Sequence, residues 1–273
     1  LERPFDEVLS SGKPDFPFCL AWANQTWAGI WHGLKGRVLI EQTYPGIEDH
    51  RRHFEMLLPA FLDHRYVRID DKPLFVIYNP EEIPDSRRTL DYWRNMAVRA
   101  GLTDLFIIAE HRNPDWPLSD FGYDALINVP LLPKRREWAP WSEFSQKIYG
   151  KLCDFVKYPT VKKYSTLSEY FVPDVKNGDR CFPCVVPNWD NTPRSSHQGL
   201  VLHGSTPKLF KKQVTRAIDR LMRNTDQRRI LFIKSWNEWA EGNHMEPDLK
   251  FGHGYLKALQ EALQSVDVNL KST

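Results

Sequence analysis

Two carboxylates three residues apart, Glu238 and Glu241, lie in the run Trp236-Asn237-Glu238-Trp239-Ala240-Glu241-Gly242-Asn243-His244-Met245-Glu246-Pro247-Asp248. On a continuing strand they would point to opposite faces; on a helical turn they become neighbours. The preceding ILFIKSW is strand-like, and Gly242 permits a break afterwards. The spacing therefore predicts a strand that ends near Trp236 and a turn that presents both acids to one cleft. Paired carboxylates suit glycosidic chemistry, one protonated to assist the leaving oxygen and the other ionised. A solvated acidic loop is the plainer reading of Glu-x-x-Glu by itself, but the flanking Trp236, Asn237 and Trp239 favour the cleft.

Two groups of residues also have metal-ligand character. Glu241 and His244 form a Glu-x-x-His pair of the kind used in di-iron bundles, but such sites need a second pair and the sequence has none. Cys181 and Cys184 form a single C-x-x-C without a second ligand pair, so they read as small buried strand residues. No metal and no cofactor is expected.

The chain has ten Trp, and six of them (Trp22, Trp27, Trp31, Trp189, Trp236 and Trp239) follow or close strand-like runs. In barrel enzymes that is the end where sites are built. Asn24, Gln25, Tyr78, Glu110, Asp190, Asn191, Asn237, His244 and Glu246 accompany them. Flat indoles offer stacking for the C–H face of a sugar, and amides and carboxylates offer hydrogen bonds to its hydroxyls. These residues are the candidate substrate-binding set, with an oligosaccharide or polysaccharide as the expected partner.

The elements that must position them read as βα repetition. Continuous apolar runs occur at 16–22, 73–79, 105–110, 124–129, 181–189 and 229–236, as expected of parallel strands buried on both faces. Helical patterns lie around Phe5, Val8 and Leu9; on Leu90, Trp93, Ala97 and Ala100, ending at Gly101; on Phe144, Ile148, Leu152 and Phe155; and on Leu256, Leu259 and Leu263. A further helix starts with Thr206 as cap and Pro207 in the first turn, then aligns Phe210, Val214, Ala217 and Leu221. The fold class is α/β with a parallel sheet, either an open doubly wound sheet or a (β/α)8 barrel without its first two strands. No G-x-G-x-x-G and no phosphate loop is present.

Over its 273 residues the chain carries 37 Lys and Arg against 35 Asp and Glu, a formal charge of +2, which argues against a nucleic-acid-wrapping protein. No apolar run reaches the roughly 18–20 residues of a membrane span. Residue 1 is Leu, and LERPFDEVLSSGKPD lacks the layout of a signal peptide, so the chain looks cropped and a cytoplasmic location is the expectation.

The segment WNEWAEGNHMEPD resembles the signature of WbsX-type proteins, which are described as glycoside hydrolase family 99-like or as glycosyltransferases of bacterial surface-polysaccharide synthesis. LERPFDEVLSSGKPDFPFCLAWAN, VLIEQTY, HFEMLLPAFLDHRYVRIDDKPLFVIYNP and CVVPNWDNTPR match in the family's order, from residue 1 to about 257. The resemblance implies a single (β/α)8 domain over 1–273 whose first two strands precede LERPF. Barrel edges left unpaired in this way predict self-association. Family 99 enzymes are endo-acting α-mannosidases with Glu-Trp-His-Glu where this chain has Glu238-Trp239-Ala240-Glu241. The resemblance implies Glu238 as the base that takes the sugar 2-hydroxyl proton, and Glu241 as the acid and then base of a retaining reaction. Ala240 in place of His makes mannose specificity non-transferable. Gln25 replaces the Glu of the family's WANENW, His32 stands where Asp is usual, and Asn128 occupies a place where an acid is expected. These departures support an alternative, a non-catalytic glycan-binding domain derived from such an enzyme; the retention of Glu238 and Glu241 favours the enzyme.

Overall fold

The computed structural model describes residues 3–29, 37–130, 155–173, 180–224 and 228–271. The chain divides into two compact units, one formed by Leu1–Ala28 with Val38–Ile127 and the other by Gly29–Arg37 with Asn128–Thr273.

The first unit begins with α1 (Arg3–Ser11), β1 (Leu20–Trp22), β2 (Trp27–Ala28), β3 (Val38–Ile40) and α2 (Ile47–Leu62). It continues through β4 (Arg68–Ile69), β5 (Lys72–Ile77), α3 (Ser86–Arg99), β6 (Phe106–His111) and β7 (Ala125–Asn128), the last residue of which belongs to the second unit. β5 is the centre: it pairs in parallel with β1, through Leu20↔Phe75, and with β6, through Phe75↔Ile107. Every residue from Pro73 to Ile77 is buried, which is why this strand reads as an unbroken apolar run. Leu90, Trp93 and Ala97 of α3 are fully buried, and Trp93 donates its indole N–H to the His50 carbonyl on α2 at 2.9 Å. Gly101, just past α3, has φ 89°, the left-handed conformation that ends a helix.

The second unit continues with β8 (Thr160–Lys163), α4 (Tyr164–Leu167), β9 (Cys181–Val185), α5 (Thr192–Ser195), β10 (Leu200–His203) and α6 (Pro207–Met222). After these come β11 (Phe232–Ile233), β12 (Asn237–Glu238), β13 (Asn243–His244) and α7 (Gly254–Lys271). β9 and β11 are parallel, with Phe232 opposite Cys184, and β8 and β10 form a second parallel pair. Cys181 and Cys184 lie buried in β9. Phe210, Val214, Ala217 and Leu221 form the inner face of α6, and the Thr206 hydroxyl accepts from the Leu209 N–H at 3.3 Å.

The six expected strands all appear, and the fold is α/β with parallel strands. Three readings of the elements need correction. The sixth strand is only Phe232–Ile233 and does not run to Trp236. The buried face of α7 is Tyr255, Ala258 and Ala262, one position from the expected leucines, and Leu263 is exposed. α2, β8 and β10 carry no counterpart in the expected pattern. The helix expected on Phe144, Ile148 and Leu152 lies outside the described residues.

Candidate active site

Glu238 and Glu241 sit on a small hairpin. β12 pairs antiparallel with β13, Asn237 opposite His244 and Glu238 opposite Asn243, and a single 3₁₀ turn, Trp239–Glu241, joins them. Gly242 closes that turn with φ 53°. A side chain at this position would place its Cβ 2.9 Å from both the main-chain N and O of Asp190, so only glycine fits. The expected turn exists, and the hairpin rather than a strand end carries both acids.

Main-chain and amide contacts within the second unit hold the hairpin. The Asp190 N–H donates to the Glu241 carbonyl at 2.8 Å. Asn243, fully buried, donates its amide to the carbonyls of Asn188 (2.8 Å) and Lys234 (2.9 Å). The Asn188 side chain accepts from the His244 N–H at 2.8 Å and donates to the His244 carbonyl at 3.2 Å.

Both carboxylates converge on one guanidinium. Arg194 donates from Nη2 to Glu238 Oε1 at 3.0 Å and from Nη1 to Glu241 Oε1 at 3.2 Å. Their surroundings differ: the Glu241 side chain is 17% exposed and that of Glu238 is 38%. Burial raises the affinity of Glu241 for its proton; the positive charge of Arg194 opposes this, the negative charge of Glu238 adds to it, and Lys234 opposes it, with a net upward shift.

The aromatic residues divide. Trp236 and Trp239 are exposed, and Trp239 lies flat on His244 with ring centroids 3.8 Å apart and planes 13° from parallel. Its indole N–H donates to Glu246 Oε2 at 2.6 Å. His244 Nε2 lies 3.4 Å from Asp248 Oδ2, and its Nδ1 is buried with no partner among the described residues. Trp189 is buried, so it packs in the core rather than offering a face. Asp190 and Asn191 build the turn that delivers Arg194: Asp190 Oδ1 accepts from the N–H and hydroxyl of Thr192, and Asn191 Oδ1 accepts from the Leu200 N–H.

Other candidates belong to the first unit. Asn24 is buried and donates to the Tyr44 hydroxyl (2.9 Å) and the Asn79 carbonyl (2.7 Å), while its own oxygen accepts from the Asn79 N–H (2.7 Å). It clamps the turn after β1 to the end of β5. Trp22 packs edge-on against Tyr44 and His53 and at a tilt against Trp93. The Tyr78 N–H donates to the Trp22 carbonyl, Gln25 and Trp27 are exposed, and Glu110 is half-buried in β6. Trp31 and His32 lie outside the described residues.

Sequence reasoning did not single out Arg194, Asn188, Asn243 or Tyr44. Arg194 closes the run CVVPNWDNTPR, and Asn243 lies inside the acidic signature, but neither has a spacing that announces its partners.

The chain is similar to known proteins in sequence and fold. A family model described as Glycosyltransferase WbsX matches residues 1–259. A protein called WxcX from Xanthomonas campestris pv. campestris is 29% identical over 96% of this chain, and the chain spans 37% of that relative's length. Among solved structures, a glycoside hydrolase-like protein superposes with a TM-score of 0.51 at 19% identity, covering 78% of this chain and 60% of the other. The GH99 endo-alpha-mannosidase from Bacteroides thetaiotaomicron superposes with a TM-score of 0.50 at 16% identity, covering 82% and 63% respectively. At these identities the structural likeness concerns the fold. Among the described residues no helix is long and apolar enough to cross a membrane.

Proposed function

Because the chain belongs to the Glycosyltransferase WbsX family, we propose that it is a carbohydrate-active enzyme that cleaves or transfers a glycosyl unit at Glu238 and Glu241. The observation that carries this reading is the convergence of the two acids, unequally buried, on the Arg194 guanidinium. The fold likeness to glycoside hydrolases supports a (β/α)8 barrel as the frame. A bacterial surface polysaccharide is the substrate that fits the family.

The division of roles follows from environment. Glu241, more buried and with raised proton affinity, is the acid; Glu238, more exposed, is the base. In this mechanism Glu238 takes the proton of the sugar 2-hydroxyl as that oxygen attacks the anomeric carbon. The bond to the leaving oxygen breaks, and Glu241 protonates it. Water or an acceptor hydroxyl then opens the anhydro-sugar while Glu241 takes its proton and Glu238 returns the other, so configuration is retained. Trp239, held flat by His244 and Glu246, is the stacking platform, with Trp236 exposed on the same segment.

Mass spectrometry of a labelled oligosaccharide panel, with and without sugar donors, tests this. Shortened products identify a hydrolase and lengthened ones a transferase. Glu238→Gln and Glu241→Gln are each expected to lower turnover by about 10²–10⁴-fold while glycan binding persists. Glycans bound by the unaltered protein but never converted would establish the non-catalytic binding domain instead.

A further inference from the structure

Arg194 has no role in the chemistry described so far, yet it is built into the site. The turn that delivers it is fixed at several points: its N–H donates to the Asn191 carbonyl at 3.1 Å, Asn191 is tied to Leu200, and Gly199 packs so closely that an added Cβ would lie 3.0 Å from the Asn191 side-chain oxygen. The guanidinium is permanently charged and reaches each carboxylate through a different nitrogen. It is therefore shared between the acids and is not the bidentate partner of either.

We propose that Arg194 is a positioning residue that sets the division of labour between the two acids: one cation shared by two carboxylates leaves room for a single proton, and the more buried Glu241 takes it. With both acids ionised, two negative charges face each other across the one guanidinium that bonds them both. A single proton relieves that repulsion, which a partly desolvated site favours. Among the described residues, other charged groups near the acids include Lys234, just past β11, which acts in the same sense as Arg194, and Asp190, whose Oδ1 is engaged by Thr192. His244, on the opposite strand of the hairpin, faces Asp248. The guanidinium also holds one oxygen of each carboxylate, which fixes their relative orientation.

This inference rests on the reading that Glu238 and Glu241 carry the chemistry, and the test separates the two. Carbon-13 NMR of glutamate-labelled protein, titrated with pH and assigned through Glu238→Gln and Glu241→Gln, reads the carboxyl groups without any turnover. On acidification the first proton is expected on Glu241. In Arg194→Met the Glu241 midpoint moves up by about one pH unit or more, whereas Arg194→Lys, which keeps the charge, stays near the unaltered protein. Where turnover is measurable, the pH–rate profile moves in the same direction in Arg194→Met, and Arg194→Lys restores its position with a lower kcat, because the shared fork is lost. A purely structural role would leave the titration and the profile in place. An unmoved Glu241 midpoint in folded Arg194→Met, or first protonation of Glu238, overturns the proposal. Should Arg194→Met fail to fold, the order of protonation in the unaltered protein decides. A titration as expected with no glycan conversion would sink the enzymatic reading alone; conversion with unmoved midpoints would sink only the role of Arg194.

Discussion

Asn24, in the turn after β1, is 1% exposed and has both ends of its amide engaged by Asn79 and Tyr44. Glu238 and Glu241, in the hairpin after β11, are partly open to solvent and divide one cation between them. Both turns follow parallel strands, and both contain a Trp beside polar residues. In the first, the Asn24 amide is buried and engaged at both ends. In the second, the polar groups are charged and stay partly exposed, the Glu238 side chain more than that of Glu241. Residue type does not separate these cases. Burial of the polar side chain does.

The contrast can be tested at its foundations. Gly242→Ala has the largest expected effect on stability, a loss of about 3 kcal/mol or more, because a left-handed φ and contact with Asp190 main-chain atoms act together. Chemical denaturation reads it, and an unchanged midpoint would show that the hairpin is looser than its contacts imply. Next comes the aromatic cluster of the first unit. His53, pressed edge-on against Trp22 and Trp93, has its proton affinity lowered by burial to a pKa of about 4. Its folded value lies below its unfolded one, so its contribution is present at pH 7 and is lost as pH falls from about 6.5 through about 4. The full loss is up to about 3 kcal/mol. Denaturant unfolding at the two ends of that window measures it, and His53→Phe should flatten the dependence. Glu241 works in the opposite sense: its raised affinity gives a contribution that is present in acid and lost as pH rises through its folded value. The smallest effect is expected for Asn24→Ala, about 1–2 kcal/mol, from leaving the partly buried Asn79 N–H without its partner. If that variant melts normally but loses glycan binding, the first turn belongs to the site and the contrast fails.

Much of the fold was legible because burial writes itself into sequence. Pro73–Ile77 is apolar throughout because both of its faces are covered, and α6 announced its start through Thr206 and Pro207. α2 escaped notice because Pro59 lies inside it, and proline reads as a break even when it falls near a helix end. β12 and β13 are two residues each, too short for any period to register. The turn that carries Glu238 and Glu241 was legible from their spacing and from Gly242. Arg194 was not, because it lies 44 and 47 residues from Glu238 and Glu241, and no local rule links positions that far apart. The hydrogen bonds by which Asn24 and Asn191 close their turns were likewise not legible, because their partners lie 55 and 9 residues away.

Three of the points that hold the hairpin are main-chain atoms: the N–H of Asp190 and the carbonyls of Asn188 and Lys234. Every residue type offers a carbonyl, and every type but proline offers an N–H. Selection can therefore exchange side chains beneath and around the acids, one at a time, and rework what the surrounding loops recognise while the acids stay in place. Within a lineage the anchors can drift in identity without drifting in position.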